Sequence, residues 1–363
     1  MKMNYAGRIR KLRRALQKHQ LEALWITHLP DVRYLCGFSG SSAVLIVTRR
    51  KAALFTDGRY TLQARQEVQG ATVHIAAKST VKEAAAWAAE EAEFAGFDPA
   101  NTRVAELESY REALPRRQRA KFFRPIPEPL VMNLRLIKDE DEILLMQEAA
   151  LMGCKLFDLI VPHIRPGMTE IEVAADLEFF ARSLGAEGMS FDTIVASGVR
   201  SSMPHGRASL AKIPRKGFVT LDFGVILNGY LSDMTRTVHV GRATKEEQFA
   251  YDAVLAAQEA GVAAVKPGAT MASVDEAARS VLREAGLAEY FTHGTGHGVG
   301  LEIHEQPRFA AGQEAKLKPG MVVTIEPGVY LPEKFGIRIE DMVVVTETGA
   351  AVLTPATKAW MEL

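Results

Sequence analysis

The hydrophobic and polar positions of the first third of the chain follow a helical period in some stretches and an extended pattern in others. Residues 4–20 show helical spacing, with Arg and Lys on the outer face. The stretches LEALWIT, SAVLIVT and AALFTDG predict short strands, which Pro, Gly and Ser clusters separate. Thr80 and Glu83 have the spacing of a capping box before an Ala-rich helical pattern. These alternating elements predict a small αβ domain.

Proline density marks the predicted end of this domain. The stretch RPIPEP contains three prolines in six residues. A chain of 363 residues also exceeds what one hydrophobic core usually holds. We therefore predict an α/β (α+β) protein with two domains, residues 1–128 and residues 134–363.

The larger second domain carries an internal repeat. After a long amphipathic helix predicted over 138–164, two capped helices follow at matching positions. Thr169 opens the first, which ends near Gly185, and Thr270 opens the second, which ends near Gly286. Both pairs are offset by 101 residues. An internal duplication explains this offset and predicts two halves related by a pseudo-two-fold axis.

A hairpin follows the first of these helices, in the segment TLDFGVILNGYLSDMTRT. Its β-rich halves flank Asn228 and Gly229, a pair that favours a two-residue turn because both positions need positive φ. The resulting register sets Asp222 opposite Thr235. Asp222 and Asp233 are then diagonal neighbours on one face of the hairpin, about 7–8 Å apart at the backbone.

Two carboxylates on one face of an apolar hairpin need a compensating positive charge, and no Lys or Arg lies between them. Each Asp could instead be solvated at a strand end or bound to a turn. The second copy of the repeat carries Glu326 and Glu340 in two predicted strands, in the same order. A duplicated fold would bring all four carboxylates to its axis, where they could hold two metal ions.

The charge composition indicates which kinds of molecule are not predicted to bind this protein. The 44 basic and 44 acidic residues cancel, so neither a nucleic acid nor an anionic membrane is a predicted partner. No apolar signal segment follows the basic N-terminus and no run of 18 apolar residues occurs, so we expect a soluble, cytoplasmic protein. Cys36 and Cys154 are isolated and are predicted to be buried small hydrophobes without a disulfide.

A glycine-rich segment, THGTGHGVGLEIHE, contributes His293, His297 and His304. Its glycine density argues against a helical pair of zinc ligands. One histidine with four carboxylates is an oxygen-dominated ligand set, which suits Mn²⁺ and leaves Co²⁺, Fe²⁺ and Zn²⁺ as alternatives. Two such ions activate a bridging water near neutral pH, so the predicted reaction is a hydrolysis.

Five segments, TLDFG, LSDMTRT, HGTGHGVGLEIHE, TIEPGVY and RIED, together resemble the pita-bread dinuclear metallopeptidases, specifically aminopeptidase P and prolidase. Upstream, DVRYLCGFSGSSA and LFTDGRY resemble the creatinase-like N-terminal domain of these enzymes. The resemblance implies a proline-containing peptide substrate and a homodimer. It also implies two divalent ions per chain and five metal ligands, Asp222, Asp233, His297, Glu326 and Glu340.

The resemblance implies further roles around the metals. His205, His293 and His304 correspond to substrate-facing catalytic histidines, and Glu326 also handles the proton of the attacking water. Histidine suits this work because it can donate to an oxyanion or to a leaving nitrogen near pH 7. Two more residues are assigned to the pocket and its support: Tyr330 is a candidate pocket residue, and Arg338, which shares a strand face with Glu340, is predicted to orient it.

Two peptidase activities fit these motifs. A dipeptidase for Xaa-Pro must anchor the free carboxylate of its substrate with a cation, and Arg308 is the nearest unassigned one. An aminopeptidase that removes the first residue of longer Xaa-Pro peptides leaves that end open. Arg308 could equally be a solvated loop residue, so the aminopeptidase is the preferred expectation. A non-catalytic peptide-binding protein of the same fold is the third alternative, against which the complete ligand set argues.

Overall fold

A computed structural model describes residues 3–363, which divide into two compact units. The first unit ends at Arg135, and the second comprises Leu136–Leu363. The Pro-rich stretch at 124–129 precedes a short helix, Leu130–Arg135, that belongs to the first unit. Within the described residues, no helix has the length and the apolar character needed to span a membrane.

The first unit is built on one mixed, six-stranded sheet. Its strands, in chain order, are β1 (Ala23–Ile26), β2 (Val44–Thr48), β3 (Ala52–Asp57), β4 (Thr72–Ala76), β5 (Ala95–Phe97) and β6 (Phe123–Pro125). Their order in the sheet is β4-β3-β2-β1-β5-β6. Its helices are α1 (Tyr5–Lys18), α2 (Leu29–Cys36), α3 (Thr61–Glu67), α4 (Thr80–Glu91), α5 (Val104–Ala113) and α6 (Leu130–Arg135).

The middle of this sheet is apolar on both faces, as expected for strands covered by helices. Strands β1 and β2 are buried along their whole length. The Trp25 ring on β1 lies 5.2 Å from the rings of Tyr110 and Phe123, between centroids. The predicted αβ layer is therefore present in the first unit.

One local prediction for this unit was wrong, and one helix was missed. The cap of α4 is Ser79 rather than Thr80, because the Ser79 hydroxyl accepts the hydrogen bond from the Lys82 N–H. Helix α2 was not predicted, because Pro30 was treated as a break. A proline in the first turn of a helix removes no intrahelical hydrogen bond, so α2 tolerates it. The two cysteines are both buried, as predicted.

The second unit contains four long helices and thirteen short strands. The helices are α7 (Glu140–Ile160), α8 (Glu170–Ser183), α9 (Lys245–Ala264) and α10 (Met271–Glu284). The strands of the first half are β7 (Gly188–Met189), β8 (Ile194–Ser197), β9 (Gly217–Phe223), β10 (Val225–Leu227), β11 (Tyr230–Leu231) and β12 (Met234–Val240). Those of the second half are β13 (Gly296–Gly298), β14 (Glu305–Phe309), β15 (Val322–Ile325), β16 (Gly328–Leu331), β17 (Phe335–Arg338), β18 (Asp341–Val345) and β19 (Ala350–Val352).

The predicted duplication is present in the second unit. Helices α8 and α10 both contain 14 residues, and their first residues are 101 positions apart. Each is capped by the predicted threonine, Thr169 or Thr270. Each threonine also forms an isolated β-bridge, to Lys212 in the first half and to Lys316 in the second. The two halves thus repeat one local architecture.

The predicted hairpin register is confirmed. Asn228 and Gly229 have φ angles of 50° and 79°, as a two-residue turn of this kind requires. Strands β9 and β12 pair so that Asp222 lies opposite Thr235. Their sheet has the order β12-β9-β8, while the second half forms a five-stranded sheet in the order β14-β13-β15-β18-β19.

Candidate active site

The five predicted metal ligands all lie on or beside strands of the second unit. Asp222 is on β9, Asp233 directly precedes β12, and His297 is on β13. Glu326 directly follows β15, and Glu340 lies between β17 and β18. Short strands therefore present these side chains from both halves of the duplication.

Three of these residues form a group with metal-ligand spacing. Asp233, His297 and Glu340 each offer one ligand atom, and these atoms lie within 4.8 Å of one another. The His297 Nε2 atom is 3.6 Å from Asp233 Oδ2 and 3.4 Å from Glu326 Oε1. The structure thus brings the imidazole against carboxylates from both halves.

Asp222 has a different environment. The Arg338 Nη2 group donates a hydrogen bond of 2.5 Å to Asp222 Oδ2. The other oxygen, Asp222 Oδ1, is buried and has no hydrogen-bond partner within residues 3–363, and the same is true of Glu340 Oε1. Unpaired buried oxygens are costly, and bound cations would satisfy them.

Burial and mutual repulsion raise the pKa of three of these carboxyls. For Asp233, burial is the main cause, and the charges of Glu340 and Asp222 add to it. For Glu340, burial again raises the pKa well above its usual range, with Glu326 and Asp222 adding repulsion. Burial also raises the pKa of Glu326, although nearby cationic groups lower it in part. This excess of negative charge is what a divalent cation would neutralise.

His297 is also suited to bind a divalent cation. Burial lowers the pKa of the His297 ring, which favours its neutral form. A neutral imidazole is the form that binds a metal ion. The ligand set of one imidazole and several carboxylate oxygens suits divalent ions such as Mn²⁺ or Zn²⁺.

Arg338, which was predicted to orient Glu340, makes no direct side-chain bond to it among residues 3–363 and is linked to it through Thr235. Besides its bond to Asp222, Arg338 donates to Thr235 Oγ1 at 3.1 Å and to Tyr330 Oη at 2.7 Å. Glu340 Oε2 accepts instead from the Thr235 hydroxyl, at 2.7 Å. The two-residue period indicated a shared face but not the partner, because a long Arg side chain reaches past its neighbour.

The three predicted catalytic histidines differ in how they are held. Both ring nitrogens of His293 have protein partners, with Nδ1 2.8 Å from Gly294 O and Nε2 2.9 Å from Tyr330 Oη. Because a carbonyl can only accept, Nδ1 carries the hydrogen and Nε2 accepts from the tyrosine hydroxyl. The exposed rings of His205 and His304 have no hydrogen bond in the described part of the chain. Burial lowers the pKa of both His293 and His304.

A cavity of about 800 Å³ opens onto these residues. Its walls contain the five predicted ligands, the three histidines and Arg338, whereas Tyr330 is buried behind them. Arg308 also lines this cavity, and it is exposed without a side-chain hydrogen bond or ion pair among residues 3–363. The volume is in the range of small-molecule and peptide sites.

Several functional neighbours were missed in the sequence analysis. The hydroxyl of Thr324 accepts from the His297 N–H and donates to Glu326 Oε1 at 3.2 Å. Thr235 holds Glu340 in a similar way. Thr324 and Glu326 share a strand face, so their two-residue spacing was a usable signal. At the rim of the cavity, Asp192 and Arg207 form an exposed ion pair that no motif indicated.

A buried cluster of carboxylates with too little positive charge, at the wall of a cavity, is typical of a metal-binding site in an enzyme. Comparison with known proteins gives the family. The chain belongs to metallopeptidase family M24, whose sequence profile matches residues 144–347. The profile of the creatinase/prolidase N-terminal domain matches residues 8–137. The predicted family and its pita-bread fold class are thus confirmed, and the protein is a metallopeptidase.

Individual relatives cover almost the whole chain. The structure of an Xaa-Pro dipeptidase from Bacillus anthracis is 40% identical, with a TM-score of 0.95 over 99% of this chain and 100% of the other. An Xaa-Pro dipeptidase of Pyrococcus horikoshii is 34% identical over 96% of each chain. An X-Pro aminopeptidase from Thermotoga maritima is 34% identical, with a TM-score of 0.89 over 96% of this chain and 100% of the other.

Proposed function

We propose that this metallopeptidase is an Xaa-Pro dipeptidase that cleaves the peptide bond before a C-terminal proline. Arg308 carries the proposal, because its guanidinium has no partner among residues 3–363 and borders the cavity. A free guanidinium suits the carboxylate that ends an Xaa-Pro dipeptide. The dipeptidases of Bacillus anthracis and Pyrococcus horikoshii support the same activity.

We propose two divalent ions per chain, Mn²⁺ being the expected metal. Their ligands would be Asp222, Asp233, His297, Glu326 and Glu340. When bound, such ions supply Lewis acidity and bring the pKa of a water near neutrality. The support for this proposal is the group of Asp233, His297 and Glu340, together with the unpaired buried oxygens of Asp222 and Glu340.

The chain's own residues would move the protons. Glu326, whose pKa burial raises, would accept a proton from the attacking water. His205 and His304, which have free ring nitrogens, would donate to the developing oxyanion and to the leaving proline nitrogen. His293 would act as a pair with Tyr330, whose hydroxyl donates a hydrogen bond to the His293 Nε2 atom.

The alternative activity is removal of the first residue from longer Xaa-Pro peptides, which the sequence analysis preferred. The similarity to the aminopeptidase of Thermotoga maritima supports this second candidate. The decisive measurement is kcat/KM for an Xaa-Pro dipeptide against the matching Xaa-Pro-Xaa tripeptide, with Mn²⁺ present. We expect the dipeptide to be preferred by about tenfold or more, since a charged hydrogen bond to Arg308 is worth 1.5–3 kcal/mol.

Arg308→Ala should remove this preference, because it should lower kcat/KM for the dipeptide and leave kcat/KM for the tripeptide unchanged. Arg207→Ala is the matched control, because Arg207 lies at the same cavity but is already paired with Asp192 at 2.9 Å. A higher kcat/KM for the tripeptide would make the protein an aminopeptidase. Failure to cleave either peptide with metal bound would favour the non-catalytic peptide-binding alternative.

Three further properties belong to this proposal. We propose a homodimer, which light scattering on the eluted protein tests, and a cytoplasmic location, which fractionation tests. We also propose two domains, predicted as residues 1–128 and 134–363, with their boundary at the end of α6, so limited proteolysis should leave this helix uncut. These proposals rest on the family resemblance and on the proline-rich stretch.

A further inference from the structure

Two catalytic histidines lie in loops that buried acids hold in matching ways. His293 lies in the segment 291–295, before β13. His205 lies in the segment 197–209, after β8. In each half of the duplication, a carboxylate on the capped helix, α8 or α10, accepts hydrogen bonds from one of these segments.

In the second half, the acid is Asp275 on α10, and its side chain is 3% exposed. Asp275 Oδ1 accepts from both the N–H and the hydroxyl of Thr295, at 3.1 and 2.8 Å. Arg279, one turn further along α10, donates to the same carboxylate at 3.2 Å. Its remaining N–H groups donate to Phe291 O and His293 O, both at 3.0 Å. One guanidinium thus ties the helix to the backbone of the histidine itself.

In the first half, the acid is Glu170 on α8, whose side chain is fully buried. Glu170 accepts from both the N–H and the hydroxyl of Ser197, at 2.8 and 3.0 Å, and likewise from Ser209, at 3.2 and 2.7 Å. Arg200 donates to this carboxylate at 3.0 Å, and its Nη2 group donates to Arg207 O at 2.9 Å. These bonds fasten the loop on both sides of His205.

The shared elements are a buried acid, a Ser or Thr that binds it through both N–H and hydroxyl, and an arginine whose spare donors reach the histidine loop. A planar guanidinium can hold a carboxylate and carbonyl groups at the same time, whereas a lysine is a single point charge. Loss of the guanidinium would remove hydrogen-bond donors from the carbonyl groups of the histidine loop. The loop would then be free to shift. A shift of about 1 Å can cost on the order of 10²-fold in rate.

We propose that Arg279 and Arg200 are positioning residues, each serving one histidine: Arg279 aligns His293, and Arg200 aligns His205. This inference rests on the proposed function, because it assumes that both histidines act in peptide cleavage. Arg279 is a better probe than Asp275, since Thr295, which Asp275 binds, also accepts the N–H of Glu326 at 2.8 Å.

Double-mutant cycles test this assignment. Arg279→Lys should lower kcat/KM for an Xaa-Pro dipeptide by about tenfold in the wild type and in the His205→Ala background. In the His293→Ala background it should have less than a twofold effect, because its target is gone. Arg200→Lys should show the reverse pattern, so each arginine is the control for the other. Bound Mn²⁺, measured by elemental analysis, should stay at the wild-type level.

Hydrogen exchange gives a readout that does not depend on activity. Arg279→Lys should speed amide exchange in peptides covering 291–297 and leave those covering 203–209 unchanged, while Arg200→Lys should do the opposite. If the wild type cleaves no Xaa-Pro peptide, the proposed function fails, and the exchange pattern still tests the loop contacts.

Equal losses from Arg279→Lys in both histidine backgrounds would overturn the proposal, as would unchanged exchange. A loss of bound Mn²⁺ that matches the loss of activity would also overturn it. Arg279→Gln is the second variant if Arg279→Lys does not fold. It keeps a planar donor, and the same selective coupling to His293 is expected.

Discussion

Glu340 and Asp341 are adjacent in the chain, and both are buried, yet their surroundings differ in charge. Glu340 belongs to the group of four carboxylates with Asp222, Asp233 and Glu326. Within residues 3–363, Arg338 is the one Lys or Arg side chain that bonds to a carboxylate oxygen of these four, while Arg236 donates to the backbone carbonyl of Glu340. Asp341 points into a separate polar network. One of these buried acids therefore has few protein cations around its carboxylate, and the other has several.

The network around Asp341 is fully paired. Arg236 donates to Asp341 Oδ1 at 2.8 Å, and Lys358 donates to Oδ2 at 2.6 Å. Gln258 and Thr354 add hydrogen bonds of 2.9 and 3.0 Å. Two cations thus serve one carboxylate, and every oxygen has a partner. A carboxylate in such a network contributes to the fold through these bonds, which makes it a structural residue.

The difference shows how a metal site can be told from a structural ion pair. Burial of acids is common to both, so burial alone is not diagnostic. What distinguishes the Glu340 group is the deficit of positive charge, seen in the raised pKa of Asp233 and Glu340 and in the unpaired atoms Asp222 Oδ1 and Glu340 Oε1. A metal ion would supply what Arg236 and Lys358 supply to Asp341.

The largest expected effect comes from Asp233→Asn, which keeps the shape of the side chain and removes its charge. We expect bound Mn²⁺ to be lost and kcat to fall on the order of 10³-fold or more, since metal catalysis contributes several kcal/mol. The metal-free variant should be more stable than the metal-free wild type, because one repelling charge is gone. Elemental analysis, peptide hydrolysis and denaturant unfolding in chelator measure these three quantities.

Glu340→Gln should behave in the same way as Asp233→Asn. Full turnover of either variant, or activity of the wild type after exhaustive chelation, would contradict the metal assignment. A lower stability of the metal-free variants would show that these carboxylates are structural, like Asp341.

Asp341→Asn should lower the stability of the metal-free protein, whereas Asp233→Asn and Glu340→Gln should raise it. Removing one partner of a buried pair leaves Arg236 without its counter-charge, which costs about 3–5 kcal/mol of unfolding free energy. Denaturant unfolding of the metal-free protein measures the change. The control is Asp192→Asn, whose ion pair with Arg207 is 70% and 78% exposed, and which should keep nearly wild-type stability. Equal stability of the two variants would refute the comparison.

Much of the fold could be predicted because the signals were local. The Asn228-Gly229 turn and the threonine caps act within a few residues, so their geometry follows from sequence. The missed helix α2 had a local signal too, but Pro30 in its first turn was taken for a break.

The candidate site could be predicted only in part, since its contacts join distant residues. The residue types and their order indicated the carboxylates. The partner of Arg338 could not be inferred, because Asp222 is 116 residues away in sequence. The same holds for Asp341 and Arg236, which are 105 residues apart. Whether a buried acid is paired depends on such contacts, so sequence could not separate Glu340 from Asp341.

Substitution of the histidines should separate catalysis from metal binding. We expect His304→Ala and His293→Ala to lower kcat on the order of 10²-fold, because the first removes a free ring donor and the second removes the acceptor of the Tyr330 hydroxyl. Bound metal should stay near the wild-type level in both. His297→Ala is the control and should lose metal together with activity. If His304→Ala or His293→Ala loses metal in proportion to activity, these histidines are ligands and the ligand set is wrong.

The smallest expected effect is a release of protons when metal binds. Burial raises the pKa of Asp233, Glu326 and Glu340, so the metal-free folded protein holds protons at pH values where ordinary carboxyls have lost them. The folded state therefore binds more protons than the unfolded chain, and these groups make the metal-free protein less stable as pH rises above about 4. Metal binding requires the ionised carboxylates and must expel these protons.

Calorimetric titration with Mn²⁺ in two buffers of different ionisation enthalpy measures the number of protons released. We expect net release at pH 6 and pH 7, with more at pH 6, and an affinity for Mn²⁺ that rises with pH. Burial lowers the pKa of His297, which favours the neutral form that binds a metal ion. Glu340→Gln, which cannot hold the exchangeable proton, should release fewer protons in any residual binding. No net proton release by the wild type would mean that the carboxyls are already ionised without metal, and the deficit of charge that separates Glu340 from Asp341 would not exist.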